Sequence, residues 1–219
     1  TMPANDVTYY AVLKVKQYTI SFAETGDSVI DAITQDYGSE IVAPADPVKE
    51  GYTFNGWLDA EGNEAEVPAT MPAENVVLTA DWVINQYTVT WIFDNGSADQ
   101  VDTYDYNATI VAPAAPEKVG HTFKEWSPAV DTNMPAIDLV YTAVYTVDSH
   151  DAIFNANGGA WGEGETTKTV PTLYGEEIVA PEDPAKTGYV FAGWDNIVGV
   201  MGTEDQTFTA QWDAATDTP

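Results

Sequence analysis

Apolar and polar residues alternate with a period of two in short segments along the chain. In the segments 7–13, 76–82 and 139–145 every second residue is apolar, and the pattern returns from Phe208 to Trp212. This period, with β-branched and aromatic residues, is typical of a half-buried strand. A second set of alternating segments begins at Tyr18, Tyr87 and His150 and ends in Gly- or Asn-rich turns. These turns predict hairpins, whose second strands return through about 29–37, 101–106 and 166–174.

The alternating segments belong to an internal repeat. Trp57, Trp126 and Trp194 lie 69 and 68 residues apart, and each ends a similar aromatic motif. A period of this size indicates a tandem array of small domains. Linkers of about four residues predict limited motion between modules and an elongated rod. The predicted segments are the C-terminal strand of a preceding repeat (1–15) and three modules (16–84, 85–147 and 148–219).

The aromatic motif is predicted to close a small sheet in each module. A module of under 70 residues lies near the lower limit for a stable core, so large aromatic side chains have to supply much of its buried area. The first two aromatic residues share one strand face, and the residues before each Trp predict a β-bulge. The motif residues are Tyr52, Phe54 and Trp57, then His121, Phe123 and Trp126, then Tyr189, Phe191 and Trp194.

A proline-rich segment separates the hairpin from the aromatic strand in every repeat, at 41–47, 110–116 and 178–184. Two prolines so close together exclude a long helix and a central strand. The segment is therefore expected to form one helical turn or a short extended crossover. With the strands, this predicts an α+β fold that is mainly β, with at most one short helix in each module.

The charge and the hydrophobic pattern argue against two kinds of interaction, with nucleic acid and with the membrane interior. The chain has 35 acidic and seven basic residues, a net charge of −28, and no cysteine. Nucleic-acid binding needs a basic surface, so no nucleic-acid partner is expected. No run of 18 apolar residues occurs, so no membrane insertion is expected either.

No arrangement of residues indicates catalysis or a cofactor, and the chain is predicted not to be an enzyme. His121 and His150 stand where other copies have tyrosine, which favours aromatic substitutes over metal ligands or general bases. Four aspartates crowd the hairpin between 94 and 105. Calcium binding there stays open, because oxygen ligands gather without the spacing of a calcium loop.

Trp161 lies in the glycine-rich loop 158–164 of the third module. A tryptophan in a polar loop can stack on a sugar or anchor a protein partner. It can equally pack back over its own hairpin. Both interpretations stay open from the sequence, and the first makes Trp161 a candidate ligand contact.

The motif Pro-x-Lys-x-Gly-Tyr-x-Phe-x-Gly-Trp, carried by Pro184, Lys186 and the residues from Gly188 to Trp194, recurs in the first copy from Pro47 to Trp57. Together with Met-Pro-Ala-Asn-Asp at 2–6, it resembles the Listeria–Bacteroides repeat, the internalin B-type B repeat. The middle copy departs from it at His121 and Glu125.

The resemblance implies small β-grasp-like (ubiquitin-like) modules, found in tandem in secreted and wall-anchored bacterial surface proteins. It implies a non-catalytic stalk with a role in adhesion, a host surface protein or glycan as partner, and a monomeric segment of a larger protein. Wall anchoring would then use a part of the protein outside this chain. The alternative is a glycan- or protein-binding module that uses Trp161 and its loop.

Overall fold

A computed structural model describes residues 10–196 and 199–215 of the chain. In these residues all regular structure is β, arranged as three small sheets. Two compact units divide the chain. One comprises the described part of 1–89 with 102–110 and 131–139, and it contains the whole first sheet. The other comprises the described part of 140–219 with 90–101 and 111–130, and it contains the whole third sheet.

The first sheet has five strands in the order β2-β1-β5-β3-β4. β1 pairs with β5 in parallel, and the other pairs are antiparallel. The first and last long strands of the repeat therefore lie side by side in the sheet, although they are far apart in the sequence. The strands are β1 (Gln17–Ala23), β2 (Ile33–Asp36), β3 (Tyr52–Leu58), β4 (Glu64–Ala65) and β5 (Val76–Ile84).

The second sheet has four strands in the order β7-β6-β9-β8. β8 and β9 are antiparallel, with His121 opposite Val147 and Trp126 opposite Ala143. The strands are β6 (Gln86–Ile92), β7 (Gln100–Asp105), β8 (His121–Ser127) and β9 (Leu139–Val147).

The third sheet has the order β11-β10-β13-β12, with β10 and β13 parallel. Pro171 lies in β11 opposite Asp151. Proline cannot donate to a ladder, and β11 tolerates it because it is an edge strand. The strands are β10 (Ser149–Asn155), β11 (Thr167–Leu173), β12 (Tyr189–Trp194) and β13 (Gln206–Ala214).

The predicted α+β class is wrong, because the described residues contain no helix. The proline-rich segments form extended crossovers, the second of the two predicted forms. Their first isoleucines are buried, and the N–H groups of Ile41, Ile110 and Ile178 donate to carbonyls of Ala69, Thr132 and Gly199, each in the segment before the last strand of its repeat. Proline lacks a donor and fixes φ, so this backbone bonds to another segment rather than to itself. Without a helix on the sheet, the β-grasp assignment is not supported.

The cores of the first and third sheets have equivalent members. Ile41, Trp57, Met71 and Leu78 are buried together in the first. In the third, Ile178, Met201 and Phe208 are the equivalents of Ile41, Met71 and Leu78, and Phe154 and Trp161 are buried with them. A buried methionine precedes the last strand of all three repeats, at Met71, Met134 and Met201.

The segment predicted to be a strand of a preceding repeat is only partly described. Residues 1–9 lie outside the described residues. Residues 10–16 form no strand, and Tyr10, Val12 and Leu13 are almost fully exposed. Residues 10–13 therefore do not pack on the first module, and the assignment of 1–15 to a preceding repeat stays a prediction.

Candidate functional site

The aromatic motif of each repeat converges on its tryptophan. The ring centroid of Trp57 lies 5.0 Å from that of Phe22 and 5.2 Å from that of Phe54. Trp126 has the same two contacts, with Trp91 at 5.0 Å and Phe123 at 5.5 Å. These are the tilted and edge-to-face arrangements that aromatic pairs prefer.

Trp194 repeats this environment in the third module, with Phe154 at 4.9 Å and Phe191 at 5.2 Å. Trp57, Trp126 and Trp194 thus have like surroundings, and each contacts aromatic residues of its own repeat. The tryptophan and phenylalanine of the shared motif thus build the interior of the modules.

The predicted bulge is present in all three aromatic strands. The register shifts between Phe54 and Gly56, between Phe123 and Glu125, and between Phe191 and Gly193. Because the bulge adds one residue, Phe54 and Trp57 reach the same core although they are three positions apart in a strand.

A lysine covers the outer aromatic residues of each module. The Lys49 ammonium lies 4.2 Å from the centroid of Tyr52 and 5.6 Å from that of Trp82. Lys118 lies 4.9 Å from Tyr145 and Lys186 lies 4.7 Å from Tyr189. These distances are within cation–π range, so the ammonium groups beside this turn are directed to the protein's own rings.

A shallow groove lies beside the same turn in the first two repeats. In the first it measures about 560 Å³ and is lined by residues that include Lys49, Phe54 and Trp82. In the second it measures about 480 Å³ and includes Lys118 and Phe123. Both grooves are open to solvent, and their linings combine apolar residues with charged ones such as Glu50 and Glu117.

A set of contacts, here called a joint, connects the end of the first module to the start of the second, and the same contacts recur after the second module. The N–H of Asn85 donates to the carbonyl of Gly51 at 2.9 Å, and the N–H of Tyr106 donates to the carbonyl of Asn85 at 2.9 Å. The Tyr106 ring lies against Gly51, so closely that a Cβ at that glycine would be 2.1 Å from the ring. Thr53 adds a hydroxyl hydrogen bond of 2.6 Å to Asn85 Oδ1.

The joint after the second module has the same contacts. Asp148 donates to Gly120 at 3.0 Å, and Tyr174 donates to Asp148 at 2.8 Å. A Cβ at Gly120 would lie 2.1 Å from the Tyr174 ring, and Thr122 donates to Asp148 Oδ1 at 2.6 Å. In each joint a linker residue and a tyrosine of one repeat are bound to a glycine of the repeat before it.

Sequence reasoning missed the role of these tyrosines. It placed Tyr37, Tyr106 and Tyr174 at the ends of the second hairpin strands and gave them no function. A sequence signal was present, because a Gly or Asn follows each of these tyrosines. In the structure these residues have a left-handed φ: Gly38 at 80°, Asn107 at 61° and Gly175 at 79°. Such a residue turns the chain sharply at the strand end.

Trp161 is buried rather than presented to solvent. Its side chain is 3% exposed, it stacks on Trp194 at 6.2 Å, and its indole N–H donates to the carbonyl of Glu182. Lys168 lies 5.3 Å from the ring on the outside. The ring and its donor are therefore occupied within the module, which is the second of the two interpretations of the sequence.

The other candidate groups are also engaged locally. His121 lies 6.3 Å from Tyr145 and 6.0 Å from Tyr174, edge to face, and its Nδ1 lies 2.8 Å from the Val119 carbonyl. His150 Nδ1 lies 3.8 Å from Asp205 Oδ1. Both occupy positions where an aromatic ring packs.

Two carboxylates of the acidic hairpin in the second module are bound to other side chains. Asp94 pairs with Lys118 at 3.1 Å, and Asp105 accepts from Gln86 at 2.9 Å. Across residues 10–196 and 199–215, no group of three or more His, Cys, Asp or Glu side chains is placed to hold a metal ion. Calcium binding, which the sequence left open, is not tested by this arrangement. In the same residues, no helix has the length and apolar character needed to cross a membrane.

The repeated sheets, their shared aromatic interior and the joints define a tandem β-repeat protein. The sequence profile of the Listeria-Bacteroides repeat domain matches residues 18–81, 87–140 and 150–219. The chain therefore belongs to the Listeria–Bacteroides repeat family, with three tandem copies.

Three relatives carry similar sequence. Two are from Evansella cellulosilytica: a "Putative Gly-rich membrane protein", 32% identical over 99% of this chain and 25% of the relative, and a "Putative membrane protein", 32% identical over 96% of this chain and 31% of the relative. Internalin H of Listeria monocytogenes is 37% identical over 50% of this chain and 20% of its own length. The chain thus spans less than a third of each of these relatives.

Proposed function

We propose that this chain is a non-catalytic spacer segment of a bacterial cell-surface protein. The observation that carries the proposal is the recurrence of one joint. In the first joint the Tyr106 ring packs on Gly51, and in the second the Tyr174 ring packs on Gly120. A spacer needs modules that are coupled to each other, whereas an enzyme needs a cleft with convergent reactive groups. The coupling is repeated here, and the grooves beside Lys49 and Lys118 are shallow and open to solvent.

The relatives and the charge support a surface location. Two relatives are named as membrane proteins and one as an internalin. A net charge of −28 keeps neighbouring copies apart by repulsion, which suits a densely displayed segment. Adhesion to a host protein or glycan, and anchoring to the cell wall, stay predictions from the family resemblance.

Antibodies raised against the purified chain test the location. They are expected to label intact cells of the source organism as strongly as permeabilised cells, while an antibody against a cytoplasmic protein labels only permeabilised cells. Labelling that requires permeabilisation would refute a surface location.

The spacer role is tested separately by display on a heterologous cell. An epitope tag is placed on the outer side of the chain and compared with the tag fixed directly to the same anchor. Antibody binding to the tag is expected to rise when the chain is present, and trypsin is expected to remove the tag more slowly than from a Gly-Ser linker of equal length that carries lysine at the same seven positions. No gain in tag access would exclude the spacer role even if the chain is on the surface.

A further inference from the structure

The first module has a groove of about 550 Å³ between its hairpin β1–β2 and its proline-rich segment. Val29 and Val42, which line it from the two sides, are 94% and 84% exposed. The carboxylates of Asp31 and Asp46 belong to the same lining, and none of the described residues that line the groove is basic. The groove therefore combines apolar surface with negative charge.

The hairpin is bonded to the proline-rich segment at the same place in the first and third modules. In the third, Ala160 and Ala185 exchange two backbone hydrogen bonds, of 2.8 and 2.9 Å. In the first, the N–H of Asp27 donates to the carbonyl of Val48 at 2.8 Å. Val48 and Ala185 each directly follow the last proline of their segment, so the two hairpin residues bonded to them are at equivalent positions.

The residue after this contact differs between the two modules. In the third it is Trp161, whose buried indole donates to the carbonyl of Glu182 in the proline-rich segment. In the first it is Ser28, which lines the groove. Ala45 follows Ile-Val-Ala-Pro as Glu182 does, and it lines the groove as well. The groove of the first module thus lies where the third module holds an indole of its own.

The third module also supplies a cation at this place. Lys168 Nζ lies 5.3 Å from the centroid of the Trp161 ring and 3.2 Å from a carboxylate oxygen of the proline-rich segment. Val170 and Ile33 pair at equivalent positions of β10 and β1. Two places before Val170 the chain has Lys168, whereas two places before Ile33 it has Asp31. The first module therefore has a negative charge where the third has its own cation.

We infer that the groove between residues 28–33 and 42–46 binds an extended segment of a partner protein that presents an aromatic side chain beside a lysine or arginine. The aromatic ring takes the place that Trp161 has in the third module, and the cation pairs with Asp31 and Asp46. An aromatic ring and a neighbouring cation also attract each other directly. The net charge of −28 attracts a cationic segment from a distance, which favours this partner over an acidic one.

Titration of the whole chain with a short peptide, followed by two-dimensional amide NMR, tests the inference. The probe is Gly-Trp-Ser-Lys-Gly, since alternate residues of an extended chain lie on one face. Amide signals of 28–33 and 42–46 are expected to shift and to saturate. Signals of 178–184 in the third module are the internal control and should not move, because Trp161 occupies that place. Equal shifts in both modules, or none in the first at several millimolar peptide, would overturn the inference.

Two further peptides separate the ring from the charge. Gly-Ala-Ser-Lys-Gly lacks the ring, and Gly-Trp-Ser-Glu-Gly inverts the charge. Each is expected to bind at least about fivefold more weakly than the probe, because each removes one of the two anchoring groups. Binding of either peptide as tight as that of the probe would contradict the proposed partner chemistry.

A charge reversal in the groove gives a second test. Asp31→Lys places a cation where the third module has Lys168, and the exposed position tolerates the change. It is expected to weaken binding of the probe at least about tenfold. Asp36→Lys, the matched control, makes the same charge change at an exposed position of β2 outside the groove and should alter binding by less than about twofold. Equal losses in the two variants would mean that the peptide responds to overall charge, and the groove would not be its site.

Discussion

The first and third modules place different side chains on the same sheet order. At equivalent positions of the parallel pair the first module has Ile20 and Leu78, and the third has Ala152 and Phe208. All four are buried. The third module thus loses volume on its first strand and gains volume on its last, where Phe208 stacks on Phe154 at 5.0 Å. Dense interiors require such compensation, and a volume-conserving exchange is what they tolerate best.

Trp161 is the second difference between the two interiors. The longer hairpin of the third module folds this ring onto Trp194, and the bond from its indole to Glu182 ties the hairpin to the proline-rich segment. Phe22 against Trp57 in the first module corresponds to Phe154 against Trp194 in the third, so Trp161 is an additional ring in the third core. The motif tryptophan therefore fixes the position of the core, and each repeat completes it with its own residues.

Removing Trp161 is expected to have the largest effect. Trp161→Ala deletes a buried indole and leaves the Glu182 carbonyl without its donor, which costs about 3–5 kcal/mol for a core aromatic. Hydrogen exchange followed by mass spectrometry should show faster exchange in peptides from 149–214. Peptides from 17–84 should be unchanged, because the first module has no counterpart of this ring.

Trp161→Phe is the matched control for that variant. It keeps an aromatic ring in the core and removes only the indole donor, so a smaller loss of about 1 kcal/mol is expected. If Trp161→Ala leaves hydrogen exchange in the third module unchanged, the ring does not stabilise the core. The interpretation of Trp161 as a ligand contact would then be favoured.

The opposite volume changes at Ala152 and Phe208 predict that the stability effects of substitutions at these two positions are coupled. Ala152→Ile alone overpacks the third core at an expected cost of about 1–3 kcal/mol, and Phe208→Leu alone leaves a cavity. The double variant recreates the first module's pair, so its cost should be less than the sum by about 0.5–3 kcal/mol. The free energy of opening, taken from hydrogen exchange of amides in β10 and β13, measures all three variants.

The reciprocal changes in the first module, Ile20→Ala and Leu78→Phe, provide the control cycle. They should also couple favourably, since Ile20 and Leu78 belong to one buried cluster and lie two register positions apart on the neighbouring parallel strands β1 and β5. Additive costs in both modules would show that the two positions do not share volume.

Much of this architecture could be predicted from local chemistry. Period-two alternation located the strands, and the Asn-Gly and Gly-rich turns located the hairpins. Each signal is local, because side-chain alternation and turn conformation depend on a few adjacent residues. The bulge before each motif tryptophan was predicted for the same reason.

Other features depended on contacts between distant segments and were missed. The proline-rich segment was compatible with a helical turn or an extended chain, and its bonds to the segment beside Met71 and Met134 decide for the second form. The joint tyrosines could not be assigned, because Tyr106 acquires its role from Gly51, 55 residues earlier in the chain. Burial of Trp161 likewise depends on Glu182 and Trp194.

The first and third modules also differ at the glycine before the aromatic strand. The Tyr106 ring covers Gly51, whereas Gly188 is exposed. Burial against the first module, and secondarily the charge of Glu50, raise the pKa of Tyr106 above its ordinary value of about 10. A raised pKa in the folded state means that the docked ring contributes stability fully below pH 10 and loses it as the pH rises through the folded pKa.

The phenolate absorbance of the protein minus that of a Tyr106→Phe variant isolates this titration. Its midpoint is expected above 10, and a Glu50→Gln variant should bring it closer to 10 by removing the neighbouring negative charge, although burial remains the larger cause. A midpoint at or below 10 would mean that Tyr106 spends much of its time off Gly51. The covered end of the first module would then differ little from the open end of the third, and the tyrosine joint would be a weak contact rather than the element that couples the repeats.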